Sequence, residues 1–153
     1  MRMELLASAT NSILIERPIA EVFDYIAHGE NNAAWRPGVV DIKRVSGSYA
    51  EAGAEYEQTL SGPLGRSIAG DYRVTELRKD KRIAFQVIAG PARPAGSYDF
   101  STEGGSTRVV FSLTFEPRGL QRLMAPMIQA TMNKEVGNLV RLKELLEKRP
   151  TSR

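Results

Sequence analysis

Residues 119–148 read GLQRLMAPMIQATMNKEVGNLVRLKELLEK, about thirty helix-compatible residues that close the chain. Leu120, Met124, Met127, Thr131, Glu135, Asn138, Leu142 and Leu145 step by three or four and so share one helical face. Leu123, Ile128, Met132, Val136, Leu139 and Leu146 widen that face, while Arg122, Gln129, Asn133, Arg141 and Glu144 lie opposite. Propensity alone stabilises such a helix little. It needs a large apolar partner, and the strand-rich middle of the chain is the one candidate. The first half of the face is rich in methionine, which suits an adaptable apolar wall. Thr131, Glu135 and Asn138 interrupt it where a dry core would carry aliphatics, and a carboxylate in a packed interior is costly unless paired. Three readings stay open: a wet cavity beside Glu135, a basic partner for it, or a kink at Pro126 that rotates the face.

Working back from this helix, the chain is strand, two short helices, then strands. Residues 8–16 read as a strand, with Ile13 and Ile15 on one face. Pro18 suits the first position of a helix, and Ile19, Val22, Phe23 and Ile26 give residues 18–27 an apolar stripe. Asn31 or Asn32 can cap a second short helix around Trp35, ended by Pro37-Gly38. Beyond Gly38 the period becomes twofold. Strands fall at 39–45, 55–60, 68–75 and 83–87, around Tyr98 and Phe100, and at 109–115, joined by hairpin-length turns. Short turns imply an antiparallel meander. Its apolar face and the stripe of the long helix should pack together, with the short helices plugging one end.

The chain of 153 residues is long enough for one sizeable core. It is read as a single domain over residues 1–153, with 149–153 as a disordered tail. No run of eighteen apolar residues is present, so no integral membrane association is expected, and the start lacks an apolar signal core. The absence of cysteine excludes disulfides, thiol nucleophiles and Cys metal sites, and fits a cytoplasmic protein. Net charge is only +3, with the basic residues scattered along the sequence, which gives nucleic-acid or lipid-surface binding little support.

Several phrases, in this order, resemble the helix-grip superfamily of START-like proteins (the SRPBCC group), closest to its polyketide cyclase/dehydrase branch. They are Arg17-Pro18 with Glu21-Val22-Phe23-Asp24-Tyr25-Ile26, then Trp35-Arg36-Pro37-Gly38, then Tyr72-Arg73-Val74-Thr75-Glu76-Leu77 with Arg82-Ile83-Ala84-Phe85. The C-terminal helix completes the set. The resemblance implies an α+β helix-grip fold: a curved antiparallel sheet of about seven strands around a long C-terminal helix, with two short helices after the first strand. It also implies a ligand cavity between helix and sheet. Members bind sterols, lipids, hormones or polyketides there, and a minority catalyse cyclisation, dehydration or hydrolysis. No catalytic motif carries across residue by residue.

The cavity wall is expected from Phe23, Trp35, Tyr56, Gln58, Tyr72, Phe85, Tyr98, Phe111, Met124, Met127, Ile128 and Thr131. Buried phenols need hydrogen-bond partners, so Tyr56, Tyr72 and Tyr98 should bond one another or a ligand. Glu135 is the sharpest acid/base candidate, since an apolar cavity would raise its pKa; an ion pair with a sheet arginine such as Arg73 or Arg108 is the plainer reading. Tyr98 is a second candidate. His28, the only histidine, has Asp24 four residues before it, but the helical wheel turns both to solvent. Neither a metal nor a cofactor is expected, because no ligand cluster appears. The first reading is a binder of a small hydrophobic molecule, lipid, aromatic or polyketide-like. The second is a cyclase/dehydratase using Glu135 and cavity tyrosines. The third is an accessory module with a filled interior, and a homodimer stays open.

Overall fold

The computed structural model describes residues 6–150. β1 (Ala7–Ile15) leads into α1 (Ile19–Ala27), a 3-10 turn (Gly29–Asn31) and α2 (Asn32–Trp35). β2 (Val39–Ser46), β3 (Glu55–Ser61), β4 (Ser67–Ala69), β5 (Tyr72–Arg78), β6 (Arg82–Val87), β7 (Ala95–Glu103) and β8 (Ser106–Phe115) follow. The C-terminal stretch is a 3-10 turn (Gly119–Met124), then α3 (Ala125–Gly137) and α4 (Leu139–Lys148). One antiparallel sheet runs β1-β8-β7-β6-β5-β3-β2, with β4 also on β3. This is the helix grip that the resemblance implies.

The sheet has eight strands rather than about seven because Gly70 and Asp71 interrupt what reads as one strand. Gly70 donates its N–H to Gln58 O at 2.7 Å, and Asp71 Oδ1 accepts from Gln58 N at 3.1 Å, so β4 and β5 both pair β3 with a break between them. The alternation of β8 follows the pleat: Thr107, Val109, Phe111, Leu113 and Phe115 point in and are buried.

The C-terminal helix differs from its sequence reading in two respects. Pro126 does not kink it: it sits in the first turn of α3, where a missing N–H costs nothing. The break falls at Asn138, whose N–H is shared between Glu135 O and Val136 O. In consequence the buried stripe is Met132, Val136, Leu139, Leu142 and Leu146, flanked by Ile128, so residues expected to widen the face carry most of it. Lys143 Nζ donates to Leu14 O at 2.8 Å, and Arg17 donates to Glu147 O and Arg149 O, which ties α4 to the end of β1. The guanidinium of Arg149 also lies 5.3 Å from the centre of the Tyr25 ring, so Arg149 is anchored. The rest of the expected tail, 151–153, lies outside the described residues.

Candidate functional site

The inner face of the sheet carries a ladder of rings set by strand register. Tyr56 on β3 pairs with Tyr72 on β5, Val74 with Phe85 on β6, Ile83 with Tyr98 on β7, and Tyr98 with Phe111 on β8. Ring centres follow at 4.9 Å (Tyr56–Tyr72), 5.5 Å (Tyr72–Phe85), 6.0 Å (Phe85–Tyr98) and 4.5 Å (Tyr98–Phe111). Such offset contacts add to simple area burial.

Where α1 and α2 close over this ladder there is an interior cavity of about 20 Å³, space for roughly one water. Ile26, Ala27, Asn32 and Arg36 supply the helical side; Val74, Leu77, Ile83, Phe85 and the three tyrosines supply the sheet side. One end is polar. Asn32 Nδ2 donates to Tyr72 Oη at 3.2 Å and to Gln58 Oε1 at 3.4 Å, and Gln58 Nε2 donates to Gly70 O at 3.2 Å. Tyr72 Oη accepts there, and the residue borders the cavity. Tyr56 Oη reaches Ala27 O at 3.5 Å, a weak bond.

Arg36 is the charged member of the wall. It follows Trp35 at the end of α2, is 8% exposed, and donates from Nε to Glu135 Oε2 at 2.8 Å. Burial alone would lower its pKa; the Glu135 carboxylate, with smaller contributions from Tyr98 and Tyr72, outweighs that and holds the guanidinium charged. Burial pushes the Tyr98 phenol up to about 12, with Arg36 pulling the other way and Glu135 adding to the rise. Burial likewise drives Tyr72 far above the ordinary tyrosine range, and Tyr56 is raised for the same reason. At neutral pH these phenols are therefore protonated and uncharged.

Of the residues expected to form the wall, Tyr56, Tyr72, Phe85 and Tyr98 border the cavity, and Gln58 stands behind it in the polar cluster. Phe111 is buried beneath Tyr98. Trp35 packs edge-on to Tyr98 and Phe111, at 6.3 Å and 6.2 Å, while Phe23 packs edge-on to Phe100 at 5.1 Å. All three are core. Met124 and Met127 do not border this cavity: they are 47% and 49% exposed, on the 3-10 turn and the start of α3. Thr131 is exposed with its hydroxyl on Met127 O, and Ile128 packs half-buried on the core.

Glu135 pairs with Arg36, not with Arg73 or Arg108, which are engaged by Glu55 and Glu103. It does not border the cavity. His28 also stands apart, half-buried, with Nδ1 on Asp24 O at 2.8 Å and its ring stacked on Tyr49 at 3.7 Å. The sequence reading missed Asn32 and Arg36, the polar half of the wall. The signal was present in Trp35-Arg36-Pro37: a charged residue directly after a buried tryptophan on a helix too short to have two faces. Among the described residues no group of three or more His, Asp or Glu side chains could hold a metal ion. A second, open groove of about 700 Å³ lies outside the sheet and shares no residue with the ladder.

An α+β helix grip whose sheet presents a ring-lined interior defines the class. The chain belongs to the family described as polyketide cyclase / dehydrase and lipid transport, whose model matches residues 7–147. No curated protein matches it. Among solved structures it is similar to the ZhuI aromatase/cyclase of a Streptomyces species, at 14% identity and TM-score 0.83, covering 95% of this chain and 96% of that one. A protein of Thermus thermophilus aligns at 21% identity and TM-score 0.77, over 93% of this chain and 99% of that one. A START superfamily protein of Mycobacterium smegmatis aligns at 13% identity and TM-score 0.75, over 92% and 97%. At these identities the likeness concerns the fold.

Proposed function

We propose that this protein binds a small, planar, apolar molecule carrying an oxygen substituent, held between the ring ladder and the α1–α2 plug. The observation that carries this is the pairing of four aromatic side chains with a polar end made of Asn32, Tyr72 and Arg36 around one interior cavity. Rings favour a flat hydrophobic body. The Tyr72 proton and the Arg36 guanidinium are donors, so they favour a carbonyl, phenol or carboxylate at that end. The family description and the aromatase/cyclase neighbour support the same class of ligand. In the closed form the cavity holds only about one water, so binding entails outward movement of the plug or of the Tyr72 and Phe85 rings.

Simple binding is favoured over turnover by the Arg36–Glu135 pair. The carboxylate expected to act as acid/base is committed to a guanidinium at 2.8 Å, and the neighbouring phenols hold their protons. The test is titration with 2-naphthol, followed by calorimetry, on the wild-type chain and on Val74→Phe, which fills the cavity from β5. Saturable binding lost in Val74→Phe and kept in Met127→Trp supports the assignment. Equal binding by Val74→Phe, or none by the wild type to 2-naphthol, 2-naphthoate and a linear fatty acid, rejects it. The small cavity favours a second reading, an accessory module with a filled interior, and that last outcome would select it.

A further inference from the structure

The cavity does not use the end of the molecule where the sheet opens. Three turns meet there: residues 62–66 between β3 and β4, residues 88–94 between β6 and β7, and the 3-10 turn Gly119–Met124. In the antiparallel order β3, β6 and β8 run the same way, so the turns that follow them leave the same end of the sheet; a Cβ on Gly90 would press on Ala69 O at the base of the β3–β4 hairpin, and Gln121 Nε2 donates to Pro91 O at 2.8 Å. Leu64, Leu120 and Leu123 project from these turns at 97%, 83% and 81% exposure, and Met124 and Met127 stand half out beside them. Leu64 does so from a left-handed backbone (φ 60°, ψ 26°), a conformation in which a branched side chain is disfavoured by about 1–2 kcal/mol and glycine is not. The turn is closed by the Gly62 N–H on Arg66 O at 2.6 Å, and the Leu64 side chain itself stays almost wholly in water.

The charge around these residues is one-sided. The three segments 61–70, 88–94 and 116–127 contain Arg66, Arg93, Arg118 and Arg122, against Glu116 alone. Arg118 is 81% exposed, and its contact with Glu116 at 3.5 Å is a loose surface pair. The fold thus brings four of the 21 basic residues, scattered along the sequence, to one end. Leu120 and Leu123 line up along one 3-10 turn and Leu64 projects from another, while the groove beside them is lined by Pro91, Arg93, Arg118 and Gln121 and by none of the three leucines, so the leucines stand as free aliphatic prongs of the kind acyl chains accept. Arginines ringing apolar prongs match anionic headgroups over acyl chains.

We propose that this end docks peripherally on an anionic lipid bilayer, with Leu64, Leu120 and Leu123 entering the headgroup–acyl boundary and the four arginines facing the phosphates. No helix among the described residues is long and apolar enough to cross a membrane, so the contact is superficial. This docking is independent of the ligand reading, because vesicle binding is measured without any aromatic ligand.

The test is flotation of the full chain with vesicles of phosphatidylcholine alone and of phosphatidylcholine mixed with phosphatidylglycerol. The wild type should float with the mixed vesicles at low salt and be released at high salt. Leu120→Glu/Leu123→Glu should lower the partition at least about tenfold while its melting curve stays as in the wild type, and Arg118→Ala/Arg122→Ala should remove the dependence on phosphatidylglycerol. A wild type that stays with the soluble fraction in every mixture overturns the proposal, as does a Leu120→Glu/Leu123→Glu chain that floats equally well. A wild-type dimer in sedimentation that the same double variant dissociates, without flotation, would assign the patch to a second copy and also overturn it.

Discussion

A guanidinium walled in by tyrosines is tolerable only while its carboxylate is in place. Arg36 and Glu135 are joined at 2.8 Å with side chains 10% and 19% exposed, so the pair is largely dry. Removing Glu135 strands a buried charge, and Glu135→Ala should destabilise the protein by about 3 kcal/mol in chemical denaturation. Replacing both members, as Arg36→Met/Glu135→Leu, should restore most of that loss, because no charge is then left to desolvate. Additive losses in the cycle would mean the two side chains act independently. Gly29 is a second sensitive position. A Cβ there would meet Tyr72 Oη and the Tyr56 ring, so Gly29→Ala should cost about 1–3 kcal/mol by overpacking and should disturb near-ultraviolet tyrosine dichroism. At this scale the inner-face tyrosines were legible, since a twofold period assigns a side to every strand residue. Arg36 was not, because a four-residue helix has no period from which to read a face.

For the elements, the lesson is one of phase. The C-terminal stretch was legible as a helix packing on the sheet, yet its buried face was displaced. A 3-10 turn advances by a different angle per residue than an α-helix, and the break at Asn138 resets the phase again; neither has a sequence marker as plain as proline. Gly137, just before that break, has open space where a Cβ would go and no positive φ. Gly137→Ala should therefore stabilise the protein by about 0.4–1 kcal/mol through the unfolded chain, and a lower melting temperature would show that the break needs glycine. The far end of α4 supplies a pH-dependent contact. Burial pushes the Glu147 carboxyl up, but Glu16 N–H, Lys143 and Arg17 outweigh it and hold it below its ordinary value of 4.5. A depressed folded-state pKa gives stability that is present above the unfolded value and is lost as pH falls through the folded one. Glu147→Gln should thus be less stable than wild type at neutral pH and converge with it in acid. A constant gap across that range would assign the effect to packing.

For the molecule as a whole, architecture and cavity volume pull in different directions. The order of elements was legible almost end to end, because hairpin turns, a plug helix led by proline and a long terminal stripe admit few topologies. The volume enclosed was not legible, since ring orientation decides it: the ladder closes to leave about 20 Å³, too little for any planar ligand. A ligand can then bind only to an opened form, and its apparent affinity is reduced by the fraction of molecules that are open. Trp35, the sole tryptophan and 1% exposed, sits edge-on to Tyr98 and reports that event directly. In stopped-flow mixing with 2-naphthol, the rate of the Trp35 fluorescence change should rise with concentration and then level off at the opening rate. A rate that climbs linearly to the solubility limit would mean that no prior opening limits entry, and that the rings yield as the ligand arrives. The plateau, where present, should increase in Gly29→Ala, because a methyl group pressed against the Tyr56–Tyr72 stack destabilises the closed form more than the open one.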